Sequence, residues 1–466
     1  MQLRGLTILV AISILSAALT APPSAFAETT QPTTTTPALT LAPPVPAPAA
    51  ERPVRIRLGR SSTGVTVGAT GGLTIVAGGA VVKQLPAGQS AQLTLVSGKV
   101  QVAGLTTPVA PPVRLVPTAT PPTPSYSVYN SRTFRGEIEI TISPVNQALQ
   151  VINVVNLEDY LLGVVPWEMP SSWPLEALKA QTVAARTYTL THLGKNAAEG
   201  FDMVNTTDDQ VYGGVPAETP RTSQAVAGTK GLVLTFGGKL AGTYYFSSSG
   251  GYTENNEVVW GGIPIAYLRA VPDFDDLPGN EYFSWRYYFT MSEFAQKLRS
   301  ASYDVGDVAE IAPAGVRSIS GRPPQWQVAG GNRIVTIKAA DFRGALGLPG
   351  LVRTVVIRPS GYVSSNRTLA SADPVYVMGA DRTPRQRPMR DNYLVGNSRT
   401  PGLPTTAAAV VGPPVWQEGG VEVVGGGRGH ALGLSQWGAN GLAVLGKTYD
   451  QILTYFYQGT KVVPSA

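Results

Sequence analysis

The chain has 466 residues, of which 14% are charged, with 51 glycines, 39 prolines and no cysteine. The absence of cysteine excludes disulfides, thiol nucleophiles and cysteine-ligated zinc sites. The lysines and arginines behind the net charge of +6 are scattered and form no run of five, so nucleic acid is not the expected partner. A mild positive charge instead suits an anionic polymer.

The first 27 residues have the pattern of a secretory signal peptide. Arg4 gives a positive start, residues 6–19 are almost entirely apolar, and Ala25-Phe26-Ala27 is a small-x-small cleavage site. The apolar run is shorter than the ~20 residues that span a bilayer. We therefore expect an exported protein of the periplasm, cell wall or extracellular space. Membrane attachment is expected only through an uncleaved signal peptide.

Composition and alternation divide the rest of the chain. Residues 28–53 are rich in Thr, Pro and Ala, which is typical of an extended linker. Short alternating apolar runs separated by Gly-rich turns predict a small all-β domain over 54–106. A second Pro/Thr-rich stretch, 107–127, is predicted to be another linker. The remaining residues, 128–466, are predicted to form the main domain.

Strands are predicted over 135–142 and 149–155, and residues 166–174 are interpreted as a loop. One long, Ala-rich helix then starts near Ser172 and continues to about Leu193. Its small residues allow close packing, so this central helix is predicted to be buried. A helix over 291–300 begins an insert that runs to about 367. The predicted fold class is α+β and β-rich, with a small N-terminal all-β domain.

Several segments resemble, in order, the signatures of the SpoIID/LytB family. They are 155–170, 173–188, 209–214, 247–262, 267–273 and 427–439. Together these segments span most of residues 128–460. The family includes sporulation lytic transglycosylases and proteins described as amidase enhancers. The resemblance implies a SpoIID-like catalytic domain that acts on peptidoglycan.

Glu168 is the candidate catalytic residue. Its neighbours are apolar or aromatic, and a desolvated carboxyl has a raised pKa and stays protonated near neutral pH. Such a group can protonate the leaving oxygen of a glycosidic bond. The resemblance implies the same role, because the glutamate of the Glu-Met-Pro triplet is the family's catalytic acid. The alternative is a glutamate held by helix-terminal N–H groups for structure alone.

Nine further residues are candidates for substrate binding. They are Lys179, Gln181, Arg186, Ser248, Ser249, Tyr252, His430, Gln436 and Trp437. The alternatives are structural: the two cations of the central helix could pair with Asp208 or Asp209, the serine loop could be an ordinary turn, and the tryptophan could belong to the core.

No cofactor and no metal are expected. Some relatives carry His and Cys around the serine loop as zinc ligands, but here Phe246 and Ser249 stand at those positions. Without cysteine, that kind of zinc site cannot form.

Two functions fit these observations. The first is a lytic transglycosylase that cleaves MurNAc-GlcNAc strands, which the resemblance suggests are denuded of stem peptides, and forms 1,6-anhydroMurNAc. Because the muramyl 6-hydroxyl attacks its own anomeric carbon, one carboxyl can act as both acid and base. The second is a non-catalytic wall-binding enhancer of an N-acetylmuramoyl-L-alanine amidase, with that amidase as partner. The intact Glu-Met-Pro triplet favours the enzyme. Wall adhesion through residues 54–104 is a third, weaker hypothesis.

Overall fold

The computed structural model describes residues 53–358, two strands within 374–388, and residues 420–465. The predicted signal peptide and all but the last residue of the first predicted linker lie outside these residues. Among the described helices, none has the length and hydropathy needed to cross a membrane.

The first part of the chain forms two sheets. Its strands are β1 (Val54–Ser61), β2 (Val65–Ala69), β3 (Gly72–Ala77), β4 (Ala80–Leu85), β5 (Ser90–Val96), β6 (Lys99–Val102), β7 (Val113–Thr118), β8 (Ser127–Tyr129), β9 (Arg132–Phe134), β10 (Glu137–Ile142) and β11 (Leu149–Val155). One sheet has the order β12-β1-β11-β10-β7-β3-β4, where β12 is Met203–Val204, and the other has the order β6-β5-β2-β8-β9. Their apolar faces share one core.

Residues 107–127 are not a linker in this structure, so that prediction is wrong. They contain β7, which pairs with β3 on one side and β10 on the other. β1 pairs with β11 along its whole length, from Val54 to Ser61. The predicted 54–106 domain and the first strands of the predicted main domain therefore form one β unit. The Pro/Thr-rich composition suggested a linker, but Val113 and Leu115 lie two residues apart on one face of a strand and are buried in the core.

Two helices follow β11, namely α1 (Leu157–Glu168) and α2 (Leu175–His192). The predicted central helix is confirmed as α2, and its alanines are fully buried. It begins after Pro174, which occupies the N-cap position, rather than near Ser172. α1 was not predicted, because Pro166 lies inside its last turn and reads as a helix breaker. Glu168 is consequently the last residue of a helix and not part of a loop.

The next elements along the chain surround α2. They are α3 (Pro220–Gly228), β13 (Leu232–Phe236), β14 (Lys239–Leu240), β15 (Tyr245–Phe246) and α4 (Asn256–Val259), followed near the C-terminus by β24 (Leu434–Ser435), α7 (Gln436–Val444), α8 (Tyr449–Phe456) and β25 (Lys461–Pro464). β15 pairs in parallel with β24, so that Tyr245 lies opposite Leu434. This pairing brings the start of α7 beside β15.

The insert has a core of its own. Its elements are β16 (Trp285–Thr290), α5 (Met291–Ser300), β17 (Val308–Ala314), β18 (Gln325–Gly330), β19 (Ile334–Lys338), α6 (Ala339–Leu346), β20 (Val352–Arg358), β21 (Pro374–Met378), β22 (Pro384–Pro388) and β23 (Gly420–Gly425). The helix predicted over 291–300 is confirmed as α5. β23 lies between β16 and β20, so the unit begins before residue 291 and includes a strand beyond the predicted end. The predicted end near 367 lies outside the described residues.

Candidate active site

Glu168 is partly exposed at the end of α1, and both of its carboxylate oxygens accept a hydrogen bond. The Tyr245 hydroxyl donates to Oε1 at 3.3 Å, and Nε2 of Gln436 donates to Oε2 at 3.0 Å. Tyr245 belongs to β15 and Gln436 is the first residue of α7. The parallel pairing of β15 with β24 therefore places the two donors around the carboxyl group.

The environment of Glu168 keeps much of it protonated at neutral pH. Burial raises the pKa of Glu168 from its ordinary 4.5 to about 7, against the smaller opposing effects of the hydrogen bonds from Gln436 and Tyr245. Both donors are neutral groups, so neither imposes the low pKa that a paired cation would. A carboxyl with this pKa can both release and accept a proton near pH 7.

A raised pKa also makes the stability of the protein depend on pH. The folded state binds the Glu168 proton more tightly than the unfolded state, so this contribution is fully present below pH 4.5 and is lost as the pH rises through about 7. Glu168→Gln cannot ionise. We therefore expect its free energy of unfolding, relative to wild type, to increase by up to ~3 kcal/mol between pH 4 and pH 8.5. Urea unfolding at both pH values measures this, and a constant difference would contradict the raised pKa.

Buried polar side chains form a hydrogen-bond network with the Tyr245 hydroxyl. Nε2 of Gln210 donates to the Tyr245 hydroxyl at 2.8 Å. The Gln210 carbonyl oxygen accepts from Thr189 at 2.8 Å and from Tyr160 at 3.3 Å. Gln210, Thr189 and Tyr160 are all at most 1% exposed. The hydrogen bonds of Tyr245 are thus determined by a buried network that begins on α2.

Three tryptophans lie close in the sequence to Glu168 or to its donor Gln436. Trp437 follows Gln436 and packs edge-on against Trp173, with ring centroids 4.8 Å apart. Both rings are partly exposed. Trp167, immediately before Glu168, is 57% exposed, and its indole lies so close to Gly213 that a Cβ there would be 2.0 Å from Nε1. Trp437 directly follows Gln436, which donates to Glu168, so it is the aromatic residue joined most directly to the site. Aromatic rings of this kind can stack on sugars.

Ser248 and Ser249 point inward. The Ser248 hydroxyl donates to Asp275 at 2.7 Å and the Ser249 hydroxyl donates to Asp273 at 2.6 Å. The backbone N–H groups of residues 250 and 251 donate to Asp275 at 2.6 and 2.8 Å. Burial and the neighbouring Asp275 charge raise the pKa of Asp273 to about 8. These hydroxyls anchor the loop to the buried Asp275 and the partly exposed Asp273.

Arg186 is only 1% exposed, and its guanidinium donates to both oxygens of Glu158 at 2.7 Å. Glu158 lies ten residues before Glu168 on the same helix, which corresponds to roughly 15 Å. Arg186 is therefore held in an ion pair, as the structural alternative proposed. Its partner is Glu158 and not Asp208 or Asp209. Asp209 pairs instead with Lys195 at 2.5 Å.

The hydrogen bonds described for the Glu168 carboxyl come from Tyr245 and Gln436 and not from three other candidates. Lys179 pairs with Glu176 at 2.8 Å and lies over the ring of Tyr449. Gln181 is 0% exposed, and neither of its amide atoms has a hydrogen-bond partner among the described residues. Tyr252 is 8% exposed. A role for these residues in substrate binding stays a prediction.

His430 supports Tyr245. Its ring packs against Phe246 and Trp260, each at a centroid distance of 5.4 Å, and its Nδ1 accepts from the N–H of Leu432 at 3.0 Å. It also forms a backbone hydrogen bond with Tyr245, and burial lowers its pKa to about 4. A neutral imidazole with these contacts holds the β15 backbone in place.

No cluster of three or more potential metal ligands occurs among the described residues. A polar cavity of about 630 Å³ opens in the β unit, between Arg60, Thr66, Ser90 and Asn130. No carboxylate or histidine lines it, and Arg60 is ion-paired with Glu199. The chemistry of the molecule therefore points to Glu168 and not to this cavity. Adhesion through the β unit stays a prediction.

Sequence reasoning missed Tyr245, Gln210, Asp273 and Asp275 as parts of the site. Gln210 and Asp273 lie within the segments that resemble the family, but local pattern assigned them no role. Tyr245 was expected only as a residue of a strand. Their importance comes from partners that are 24 to 77 residues away in the chain. No local signal could have revealed those contacts.

The fold and the site together define an α+β protein with a glutamic acid of near-neutral pKa bound by two neutral donors. A family model described as stage II sporulation protein, SpoIID, matches residues 145–236. Stage II sporulation protein D of Bacillus subtilis is 30% identical over 341 residues, covering 69% of this chain and 79% of its own length.

Two further relatives agree with this match. An uncharacterised protein of Brachyspira hyodysenteriae is 30% identical over 321 residues, covering 69% of this chain and 70% of its own length. The amidase enhancer of Bacillus subtilis is 32% identical over 321 residues, covering 64% of this chain but only 40% of its own. The chain belongs to the SpoIID family.

Proposed function

We propose that the protein is a peptidoglycan lytic transglycosylase in which Glu168 acts first as acid and then as base. The observation that supports this most is the pKa of about 7 for a partly exposed carboxyl whose oxygens already accept from Tyr245 and Gln436. Each oxygen accepts one of these hydrogen bonds and keeps further capacity to hold a proton, and the partial exposure of the residue allows a substrate to approach it.

The proposed reaction needs no second carboxylate. Neutral Glu168 gives its proton to the glycosidic oxygen as the bond to C1 of MurNAc breaks, leaving an oxocarbenium-like centre. The muramyl 6-hydroxyl then attacks C1, and the Glu168 carboxylate takes the hydroxyl proton. The products are a shortened strand and a 1,6-anhydroMurNAc end, with no water consumed. Tyr245 and Gln436 stabilise the carboxylate between the two proton transfers.

Trp437 is proposed to stack on a sugar ring next to the cleaved bond. Trp437→Ala is expected to raise KM by roughly 3- to 10-fold, because an aromatic contact contributes about 0.5–1.5 kcal/mol. Since Glu168 and its donors are unchanged, kcat is expected to change little. Steady-state rates on solubilised glycan strands measure this. Trp437→Phe serves as the control that keeps a ring, and a KM equal to that of wild type in the alanine variant would contradict the role.

The similarity to a protein named amidase enhancer supports a second candidate. In that case the chain binds wall glycan without cutting it and stimulates a cell-wall amidase. Export is part of both proposals, because peptidoglycan lies outside the cytoplasmic membrane.

Incubation with two substrates separates these candidates. Purified peptidoglycan is used intact and after an amidase has removed the stem peptides, and soluble products are examined by mass spectrometry. We expect 1,6-anhydromuramyl ends, mainly from the denuded strands. Reducing ends would indicate a hydrolase. Binding without soluble product, together with faster cleavage by an added amidase, would favour the enhancer.

A further inference from the structure

The side-chain amide of Gln210 is buried beside Tyr245 with a polar neighbour at each of its atoms. The residue is 1% exposed, so every one of these contacts is shielded from water. Its Nε2 lies 3.4 Å from the carbonyl oxygen of Ala185 and 2.8 Å from the Tyr245 hydroxyl. Its Oε1 lies 2.8 Å from the Thr189 hydroxyl.

These contacts determine which way the amide faces. The Ala185 carbonyl can only accept, so the atom next to it must be the NH₂ group. The other N–H of that group then donates to Tyr245. The oxygen side accepts from Tyr160 at 3.3 Å. The Thr189 hydroxyl also lies 2.9 Å from the Ala185 carbonyl, so its one proton is shared between that carbonyl and the Gln210 oxygen. The reversed amide would set two acceptors against each other at Ala185.

A hydroxyl that accepts from Gln210 has one proton left to donate. The Tyr245 hydroxyl lies 3.3 Å from Oε1 of Glu168, to which it can donate this proton. We propose that Gln210 is a positioning residue that orients the Tyr245 hydroxyl, so that its proton is held toward Glu168. This inference rests on the proposed function for its role in catalysis. The 3.3 Å contact is long, as hydrogen bonds of catalytic groups often are without substrate.

The groups around this network add no competing charge. Tyr160, Tyr188 and Tyr245 are titratable side chains that interact electrostatically with Glu168. Burial raises the pKa of each tyrosine above its ordinary value of 10. Asp209 interacts electrostatically with Tyr160 and Tyr188, and its charge is paired with Lys195. At pH 7 the tyrosines are therefore neutral, and Tyr245 remains a donor.

The test measures the pKa of the Glu168 carboxyl directly. The protein is labelled with ¹³C at the glutamate carboxyl, and the Glu168 signal is the one absent from Glu168→Gln. Tyr245→Phe is expected to raise this pKa by about 0.4–1 unit, since a net hydrogen bond contributes about 0.5–1.5 kcal/mol. Gln210→Met is expected to raise it in the same direction, and to add nothing further in the Tyr245→Phe background. Thr229→Val, which removes another buried hydroxyl, is the control and is expected to leave the pKa unchanged.

The proposal is overturned if Gln210→Met leaves the Glu168 pKa unchanged, or if its effect persists undiminished without the Tyr245 hydroxyl. Should Gln210→Met fail to fold, Thr189→Val replaces it, because it removes a hydroxyl that fixes the amide oxygen. The alkaline limb of the pH–rate profile is expected to move with the measured pKa. The NMR titration does not require activity. An inactive protein in which Gln210→Met still shifts the Glu168 pKa would contradict the proposed function alone, and an active protein without that shift would contradict this inference alone.

Discussion

Glu168→Gln is expected to lower the rate of glycan cleavage by about 10²- to 10⁴-fold, the usual contribution of a positioned acid–base group. Glutamine keeps the shape of the side chain and can still accept from Tyr245 through its carbonyl oxygen. It cannot give a proton to the leaving oxygen or take one from the attacking hydroxyl. Initial rates of soluble product release measure the loss, with binding to the strands expected to be retained.

Glu176→Gln is the matched control for this variant. Glu176 lies in the first turn of α2 and accepts from Lys179 and from the N–H of Tyr449. Neither of these hydrogen bonds involves Glu168. The control is expected to cleave at nearly the wild-type rate. A Glu168→Gln variant as active as this control would remove Glu168 from the mechanism.

The largest effect on stability is expected at Arg322. Its side chain is 1% exposed and pairs at 3.1 Å with Glu254, which is 0% exposed. Arg322 also donates to the carbonyl of Tyr252 at 2.9 Å and to the carbonyl of Ser249. Through these contacts the insert holds the serine loop. Arg322→Met is expected to lower the free energy of unfolding by ~3–5 kcal/mol, because it leaves a buried charge without its partner.

The measurement is urea unfolding, with two comparisons. Adding Glu254→Gln to Arg322→Met is expected to restore part of the loss, since the unpaired charge is gone. Arg299→Met breaks an exposed pair with Asp304, in which the side chains are 56% and 47% exposed, and is expected to change the urea midpoint little. Equal losses for the buried and the exposed arginine would mean that the buried pair contributes little to the fold.

Local patterns predicted the regular elements well where one period dominates. The alanines of α2 predict a buried helix, and the β-branched residues of β10 and β11 predict strands, because both sets of residues lie in the core. α1 was not predicted, because Pro166 indicates a helix break. The buried face of this helix, which includes Tyr160 and Val164, was therefore overlooked. The membership of β7 in the seven-stranded sheet depends on pairing with distant strands, which composition does not encode.

The site was predictable in its centre and not in its surroundings. Glu168 stands out because the apolar and aromatic residues beside it in the sequence predict a desolvated carboxyl, and its pKa is raised by burial in the structure. Gln436 was a candidate, and the structure brings it to the carboxyl. Arg186 and Ser248 have side chains suited to substrate binding, but in the structure they contact the carboxylates of Glu158 and Asp275. Those partners lie 28 and 27 residues away, so their contacts arise from folding and leave no trace in local spacing.

The most direct test of the central claim is the chemical nature of the strand ends that the protein produces. Denuded glycan is digested in parallel with the wild-type chain and with Glu168→Gln, and the ends are identified by mass spectrometry. The expected result is 1,6-anhydroMurNAc ends from the wild type and none from the variant. Anhydro ends from both proteins, or reducing ends from the wild type, would contradict a lytic transglycosylase whose acid and base is Glu168.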